Sequence, residues 1–345
     1  MTATTAIPAP PDSIDAGVPW HYGDPFAEQR ALAAGIGAVD LSHREVLGVR
    51  GADRLNWLHN LSTAHLLDLP AGASRLVLIL SPHGHVEHEM HLIETGQEVL
   101  ISVDPGRSEA LAAHLDSMRF MMRVQVDARP DLAVVWEPVA APDPAGLPSW
   151  SVPGDYWTGG QPTPSGSDRG GDATRYVPNR PADFVGREVI LARDDAAERM
   201  IQADQRAGTW ALEALRVAAA VPRLGLETDH RTLPHEVGWI GPAVHLAKGC
   251  YRGQEAVARV HNLGRPPRRL ALAHLDGSVG ILPEHGDEVR VDERVVGWVG
   301  TAAQHYELGP IASVILKRSL DPAAGLIIRA AEGDVVASQE VVVAP

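Results

Sequence analysis

At Pro266-Pro267 the texture of the chain changes, and this break constrains the fold more than any other feature of the sequence. Each proline removes a backbone donor and pushes the residue before it toward extended backbone, so neither a helix nor a central strand runs through the pair. Beyond it the apolar runs are short and rich in β-branched residues: Leu270 to His274, Glu288 to Val291, Val295 to Val299 and Ile311 to Leu316. Such runs predict strands, and several in succession predict a small separate barrel or sandwich. Before the break the periods mix. Val46 to Val49, Leu76 to Leu80 and Val99 to Val103 read as strands, whereas Leu55, Leu58 and Leu61, and then Leu111 and Leu115 within Ser108 to Met118, fall at helical spacing. Asp53 is the expected N-cap of the first of these helices. Ala196 to Ala220 returns to helix formers, with Met200, Leu212, Leu215 and Ala219 offering an apolar face. The expectation is an α+β chain whose residues 265–345 form a C-terminal β-barrel domain.

With 345 residues the chain exceeds what one hydrophobic core organises. Residues 21–262 are expected as the main body, interrupted at 137–181 by an excursion rich in Pro, Gly, Ser and Asp. Its Trp150, Tyr156 and Trp157 predict that part of the excursion is anchored to the body. Residues 1–20, rich in Ala, Thr and Pro, have neither a basic nor an apolar segment of a secretory signal and are expected to form a disordered tail. No stretch reaches the ~20 apolar residues that cross a bilayer. A net charge of −14 argues against a direct nucleic-acid partner, since that affinity rests on Lys and Arg neutralising phosphates. Arg265, Arg268 and Arg269 read as a solvated hinge. The lone cysteine excludes an internal disulfide and a self-contained cysteine-rich metal site, and suits a reducing cytoplasm.

That cysteine lies in the most informative segment, Lys248-Gly249-Cys250-Tyr251-Arg252-Gly253-Gln254-Glu255. The two glycines permit a tight turn, Gln254 begins a helix-forming run, and Lys248 and Arg252 stand close in sequence to the thiol. A helix N-terminus and two cations all favour a thiolate, so the sequence predicts an accessible and acidified Cys250. The bland alternative is a small buried hydrophobe, which a polar, glycine-flanked setting does not suit. A second polar run holds His83, His85, His88 and His91 with Glu87 and Glu89. His88-Glu89-Met90-His91 is one residue short of a zincin, and the run reads instead as two strands about a turn at His83-Gly84, with alternate histidines on opposite faces. Trp210 is either a stacking platform for a ligand ring or a core residue.

Lys-Gly-Cys-Tyr-x-Gly-Gln-Glu, followed here by Val257-Ala258-Arg259, is the signature of YgfZ-type proteins, which this chain resembles. Val39-Asp40-Leu41-Ser42-His43, Gly51-Ala52-Asp53, Leu215-Arg216 and Gly297 to Thr301 resemble segments of the related glycine-cleavage T-protein, an aminomethyltransferase. The resemblance implies a T-protein-like folate-binding fold with a small C-terminal β-barrel, and tetrahydrofolate or a one-carbon folate derivative as ligand. It also implies a cytoplasmic role in assembly or repair of iron–sulfur enzymes, with an indirect link to tRNA modification. Iron–sulfur assembly factors or client iron–sulfur enzymes would be the partners. Cys250 would be the reactive thiol, tuned by Lys248 and Arg252; Tyr251, Gln254, Glu255 and Arg259 would shape the site, and Glu89, Trp210 and Arg216 would contact the folate. Two departures oppose glycine-cleavage activity: Glu89 stands where the T-protein places Asp, and Ala218 replaces its pterin-contacting Glu. A folate-dependent one-carbon transferase or demethylase, and a non-catalytic adaptor for cluster-carrying partners, remain the alternatives.

Overall fold

The computed structural model describes residues 5–139, 143–153 and 184–344. These form two compact units, one of residues 5–79, 88–139, 143–153 and 184–212 and the other of residues 80–87 and 213–344.

The first unit opens with β1 (Ile7–Pro8) paired antiparallel to β2 (Pro19–His21). Ala9 and Val18 are buried between them, and the Asp15 carboxylate lies 3.0 Å from His43 Nε2. The composition of residues 1–20 suggests a free tail; from Ile7 onward the chain is instead a strap held by apolar burial and the buried Asp15–His43 contact. Next comes α1 (Pro25–Ala33), started as its sequence dictates: Asp24 Oδ1 accepts from Ala27 N, and proline occupies the first turn, where no donor is needed. Then follow β3 (Ala38–Asp40), β4 (Glu45–Arg50), α2 (Arg54–Leu61), β5 (Ser74–Leu80), β6 (Val86–Glu94), β7 (Glu98–Val103), α3 (Ser108–Ser117), β8 (Gln125–Ala128), β9 (Leu132–Glu137), β10 (Ser149–Ser151), β11 (Arg187–Ala192), α4 (Arg193–Gln202) and β12 (Arg206–Ala207), before α5 (Thr209–Ala218).

Two sheets organise these elements. The first has strand order β5-β6-β7-β4-β8. Alternate residues of its strands, Val77 and Ile79, Met90 and Leu92, Leu47 and Val49, join Trp57 and Leu58 of α2 and Leu111 and Leu115 of α3 in one core, the period-two and helical patterns meeting on a shared apolar face. Asp53 precedes α2 but does not cap it; its carboxylate is taken by Arg123, with Nε at 3.0 Å and Nη2 at 2.8 Å. The second sheet has order β10-β11-β9-β3-β12, and Ala196 and Met200 of α4 pack on Ala133, Val135, Val189 and Leu191. Trp150, expected as an anchor, is buried on β10; Tyr156 and Trp157, like most of the excursion, lie outside the described residues.

The helix formers from Ala196 to Ala220 fall in two helices, α4 and α5. Between them the chain extends so that Arg206 and Ala207 pair in parallel with Ala38 and Val39. Gly208 makes that crossing possible, because a Cβ there would lie 2.1 Å from the carbonyl oxygen of Trp20.

In the second unit a 3-10 turn (Pro234–Val237) and α6 (Gln254–Leu263) precede a closed barrel. Its strands are β13 (Arg268–Leu275), β14 (Glu288–Val291), β15 (Arg294–His305), β16 (Gly309–Lys317), β17 (Leu326–Ala330) and β18 (Gly333–Val341), in the order β13-β16-β15-β14-β17-β18. Ala271, Ala273, Val289, Val314, Ile328 and Val335 fill the interior, small residues on one strand facing branched ones on others. The compact unit reaches back past Pro266 to residue 213, so it divides from the rest earlier than the composition change suggests. Of the three arginines at that change Arg265 is exposed, but Arg268 and Arg269 are not part of a solvated hinge. Arg268 binds Asp229 at 2.7 Å and Glu236 at 2.7 Å and lies over the Trp298 ring, while Arg269 is buried and donates to Gln339 Oε1 at 2.7 Å.

Gly208→Ala is expected to destabilise the protein by at least ~2 kcal/mol in urea unfolding, since backbone must move to admit the methyl group. Gly72→Ala, where φ is +84° but nothing lies within 4 Å, should lose only about 1 kcal/mol of backbone strain. Equal losses at the two positions would refute the close approach at Gly208.

Candidate functional site

The segment 248–255 takes its shape from the tip of a hairpin. Ser81 N donates to His85 O at 2.8 Å, Gly84 N donates to Ser81 O at 2.9 Å, and the Ser81 hydroxyl accepts from His83 N and His85 N. The turn is thereby closed on itself with Gly84 at φ +79°. Gly253, φ +84°, lies against it as the residue before α6. A Cβ on Gly253 would stand 2.6 Å from Ser81 O and 3.1 Å from Gly84 Cα, and one on Gly84 would stand 2.8 Å from Ala256 Cβ. Both glycines are needed for positive φ and for this backbone-to-backbone approach. At the edge of the contact Arg252 Nη1 binds Glu87 Oε2 at 2.9 Å.

On the other side of Cys250 the loop is closed by its own polar groups. Lys248 N donates to His245 O, Gln254 Nε2 donates to Lys248 O at 3.2 Å, and Gln254 N donates to Tyr251 O at 3.1 Å. Lys248 Nζ lies 5.2 Å above the centre of the Tyr251 ring. Both side chains are buried, and that burial pushes the lysine down to about 8 and the tyrosine up to about 12. Between them Cys250 is exposed and unpaired, and the neighbouring Gly249 has open space on its side-chain side. Glu255 and Arg259 are exposed on α6. The two cations expected to stabilise a thiolate are thus otherwise engaged: Arg252 is paired with a carboxylate, and Lys248 is packed on an aromatic ring in a setting that opposes its charge.

Arg216, expected at the folate, is consumed by a buried network. Its Nε and Nη2 meet the two Glu213 oxygens at 2.9 Å each, Nη1 donates to Val221 O at 2.6 Å and reaches Glu227 Oε2 at 3.1 Å, and Nη2 donates to Thr301 Oγ1 at 2.8 Å. Every face of the guanidinium is occupied by protein, so this residue holds structure together.

Glu89 and Trp210 belong to the first unit. Trp210 is half-buried at the start of α5, edge-on to Phe26 with centroids 5.6 Å apart. Glu89 is largely buried on β6, with Oε1 3.8 Å from His91 Nε2. His91 belongs to a cluster that sequence reasoning does not assemble. Its imidazole lies flat on the Trp150 indole, 3.6 Å between centroids, and its Nδ1 is 2.9 Å from Glu188 Oε1. Arg44 Nε lies 3.5 Å from the same oxygen, and Arg44 Nη1 binds Asp104 Oδ1 at 2.6 Å. Burial works against the Glu188 charge, but Arg44 and His91 overcome it and hold the carboxyl at about 2. One signal was available: Glu188 is a carboxylate directly joined to the apolar run Val189-Ile190-Leu191. Among the described residues, no group of three or more His, Cys, Asp or Glu side chains could hold a metal ion.

Two measurements check this geometry. Arg216→Ala leaves Glu213 and Glu227 buried without their cation and is expected to remove about 3–5 kcal/mol of stability; a loss under ~1 kcal/mol would show that the network is not formed. Lys248 gives a pH signature. Between about pH 8, its folded value, and the ordinary lysine value near ~10.4, the unfolded chain binds more protons than the folded one. Stability therefore rises across that window, and the increment is lost as pH falls through about 8. Relative to Lys248→Met, wild type should gain on the order of 3 kcal/mol between pH 7 and 10.5. Parallel curves would place the ammonium in water.

Comparison with known proteins agrees with the architecture. No protein-family model matches the chain. An aminomethyltransferase from Nitrosococcus oceani is 28% identical over 120 residues, 34% of this chain and 32% of that protein. A second, from Chromobacterium violaceum, is matched over 33% of its length, so the chain matches only about a third of these first relatives. An aminomethyltransferase from Rubrobacter xylanophilus is 25% identical over 304 residues, 85% of this chain and 78% of that protein. The crystal structure of the glycine cleavage system aminomethyltransferase T from Bartonella henselae shares the fold with a TM-score of 0.72 at 17% identity, over 99% of this chain and 94% of that one. The chain is therefore aminomethyltransferase-like, mixed α+β with a closed barrel of six strands. Among the described residues no helix is long and apolar enough to cross a membrane.

Proposed function

We propose that this chain is a cytoplasmic protein of the YgfZ type, binding tetrahydrofolate or a one-carbon derivative and using Cys250 to support assembly or repair of iron–sulfur enzymes, with an indirect link to tRNA modification. The observation that carries the reading is the construction of residues 248–255. Gly253 is pressed onto the Ser81–Gly84 turn, Lys248 and Tyr251 are buried, and the thiol is left exposed on a loop fixed from both sides. A cysteine serving only as a small hydrophobe has no reason to be presented in this way. Its partners would be iron–sulfur assembly factors or client iron–sulfur enzymes, and the exposed thiol is the group they would meet.

The folate part of the proposal rests on the aminomethyltransferase-like fold together with the T-protein-like segments at Asp40, Gly84 and Leu215. The same segments argue against aminomethyl transfer in this chain. Glu89 carries one methylene more than the aspartate expected there, and a displacement of ~1 Å at a reacting carboxylate can cost on the order of 10²-fold. Ala218 offers no carboxylate to a pterin. A second reading, a folate-dependent one-carbon transferase or demethylase, is favoured by one observation: Glu89 sits beside a buried cluster of charged side chains, with Oε1 3.8 Å from His91 Nε2 and Glu188 on the far side of the ring.

Cys250→Ser is expected to abolish support of iron–sulfur enzymes in a complementation assay while tetrahydrofolate affinity, read from tryptophan fluorescence, changes less than about twofold. A serine variant that complements fully would reduce Cys250 to a structural residue. In a coupled assay with a lipoyl carrier protein, the wild-type chain should show less than about a hundredth of authentic aminomethyltransferase activity; activity within tenfold of the authentic enzyme would establish the transferase reading instead.

A further inference from the structure

The hairpin tip on which Gly253 rests is itself held by a second turn of the same unit. Val86 N donates to Thr232 O at 2.9 Å, and a Cβ on Gly84 would stand 3.7 Å from Leu233 Cδ2 as well as 2.8 Å from Ala256 Cβ, so the tip touches both residue 233 and α6. Thr232 closes the second turn. Its N donates to Asp229 O at 3.1 Å, its Oγ1 accepts from Asp229 N at 2.8 Å, and Asp229 Oδ1 accepts from Arg231 N and Thr232 Oγ1 at 2.9 Å each. These bonds are local: they shape the turn but do not fix where it sits.

Arg268, the first residue of β13, supplies the fixed point. Its Nη1 donates to Asp229 Oδ2 at 2.7 Å, Nη2 to Asp229 Oδ1 at 3.0 Å and to Thr232 Oγ1 at 3.3 Å, and Nε and Nη2 meet Glu236 Oε2 at 3.0 and 2.7 Å. One guanidinium thus grips the chain on both sides of Leu233. The Trp298 ring, with its centre 5.0 Å from Arg268 Cζ, supports the guanidinium. We propose that Arg268 is a positioning residue for the Cys250 loop: by clamping Asp229 and Glu236 it seats Thr232 and Leu233 against the Ser81–Gly84 turn, and that turn seats Gly253. The proposal rests on the reading of Cys250 as the functional thiol.

Two features of the loop make it answer to this clamp. The hydrogen bonds of Lys248 N, Gln254 N and Gln254 Nε2 run within the loop or to His245, so they hold its shape and not its place. Of the contacts that tie it to the hairpin, the exposed Arg252–Glu87 pair contributes little. The approach of Gly253 is different, because a Cβ there would already stand 2.6 Å from Ser81 O, and backbone packed that closely passes on any shift of the hairpin. The clamp also explains the residue type. A lysine carries the same charge, but as a point donor it cannot hold both Asp229 oxygens and Glu236 at once.

The test uses full-length protein and two readouts. Arg268→Lys keeps the charge and loses the fork, whereas Asp229→Asn keeps the shape and loses the charged partner. In each, hydrogen exchange at the amides of Lys248 and Gln254 should quicken by about tenfold, while exchange across the β13–β16 pairing stays as in wild type. The double variant should exchange no faster than the faster single one, because both changes remove the same contact. In an NMR titration the Lys248 midpoint, about 8 with the loop seated, should move toward the ordinary lysine value near ~10.4 in both variants as water reaches the ammonium. Arg290→Lys, which alters an ion pair on another barrel strand, should leave both readouts unchanged. A folded Arg268→Lys or Asp229→Asn protein with wild-type exchange in the loop, or with the Lys248 midpoint in place, overturns the proposal; so does an additive double variant. A Cys250→Ser protein that complements fully overturns the thiol reading alone, since exchange and the Lys248 midpoint still decide whether Arg268 holds the loop.

Discussion

The second unit depends on one carboxylate. Glu227 is fully buried and accepts from Arg216 Nη1, Arg223 N, Thr301 Oγ1 and Ser313 Oγ, so a helix end, the loop that follows it and two barrel strands converge on two oxygen atoms. A charge so far from water is tolerated only when every lone pair is met, and this demand fixes the segments more tightly than apolar packing could. The local sequence bends to it. Gly300 sits at the irregularity in β15 because a Cβ there would stand 2.7 Å from Ser313 Oγ and 2.9 Å from Glu227 Oε1. Barrel closure and the seating of residues 213–227 are thus one constraint.

What could be read from the sequence follows from the range of the forces involved. The strands at Val46, Leu76, Val99 and Ile311 and the helices at Leu55 and Leu111 were legible because period and apolar face are local properties. Strands Leu326–Ala330 and Gly333–Val341 were not, because Arg329 in the first and Asp334 and Glu340 in the second interrupt the apolar pattern on exposed positions. The extended crossing that ends at Gly208 was hidden for another reason: it is set by the carbonyl of Trp20, far away in the chain. Tertiary contact overrides propensity in that case.

The candidate site divides along the same line. Its backbone, two glycines and a helix start, was visible in Gly249, Gly253 and Gln254. Its electrostatics was not, since sequence proximity says nothing about commitment. Lys248 and Arg252 flank Cys250 in the chain, but one lies on Tyr251 and the other on Glu87. Arg216 and Arg268 look alike as surface-type cations and are instead the centres of ion networks. Conversely, Arg44, His91 and Glu188 come from three distant stretches, and only the fold makes them neighbours.

Burial alone does not set the charge state of these carboxyls. Glu188 and Glu236 are both buried, yet one is held at about 2 and the other is raised above the ordinary glutamate value. Around Glu188, Arg44 and His91 both bring positive charge, which outweighs the loss of water. Glu236 has Arg268, and Asp229 shares that guanidinium. One shared cation does not offset complete desolvation. The linkage therefore has opposite signs at the two sites. Glu188 contributes stability that is present above the ordinary glutamate range and lost as pH falls toward about 2, whereas the contribution of protonated Glu236 is present in acid and lost as pH rises through its raised value. Two buried glutamates in one chain thus become a fixed anion and a titrating acid, and the number of cations within reach, Arg44 with His91 against Arg268, separates them.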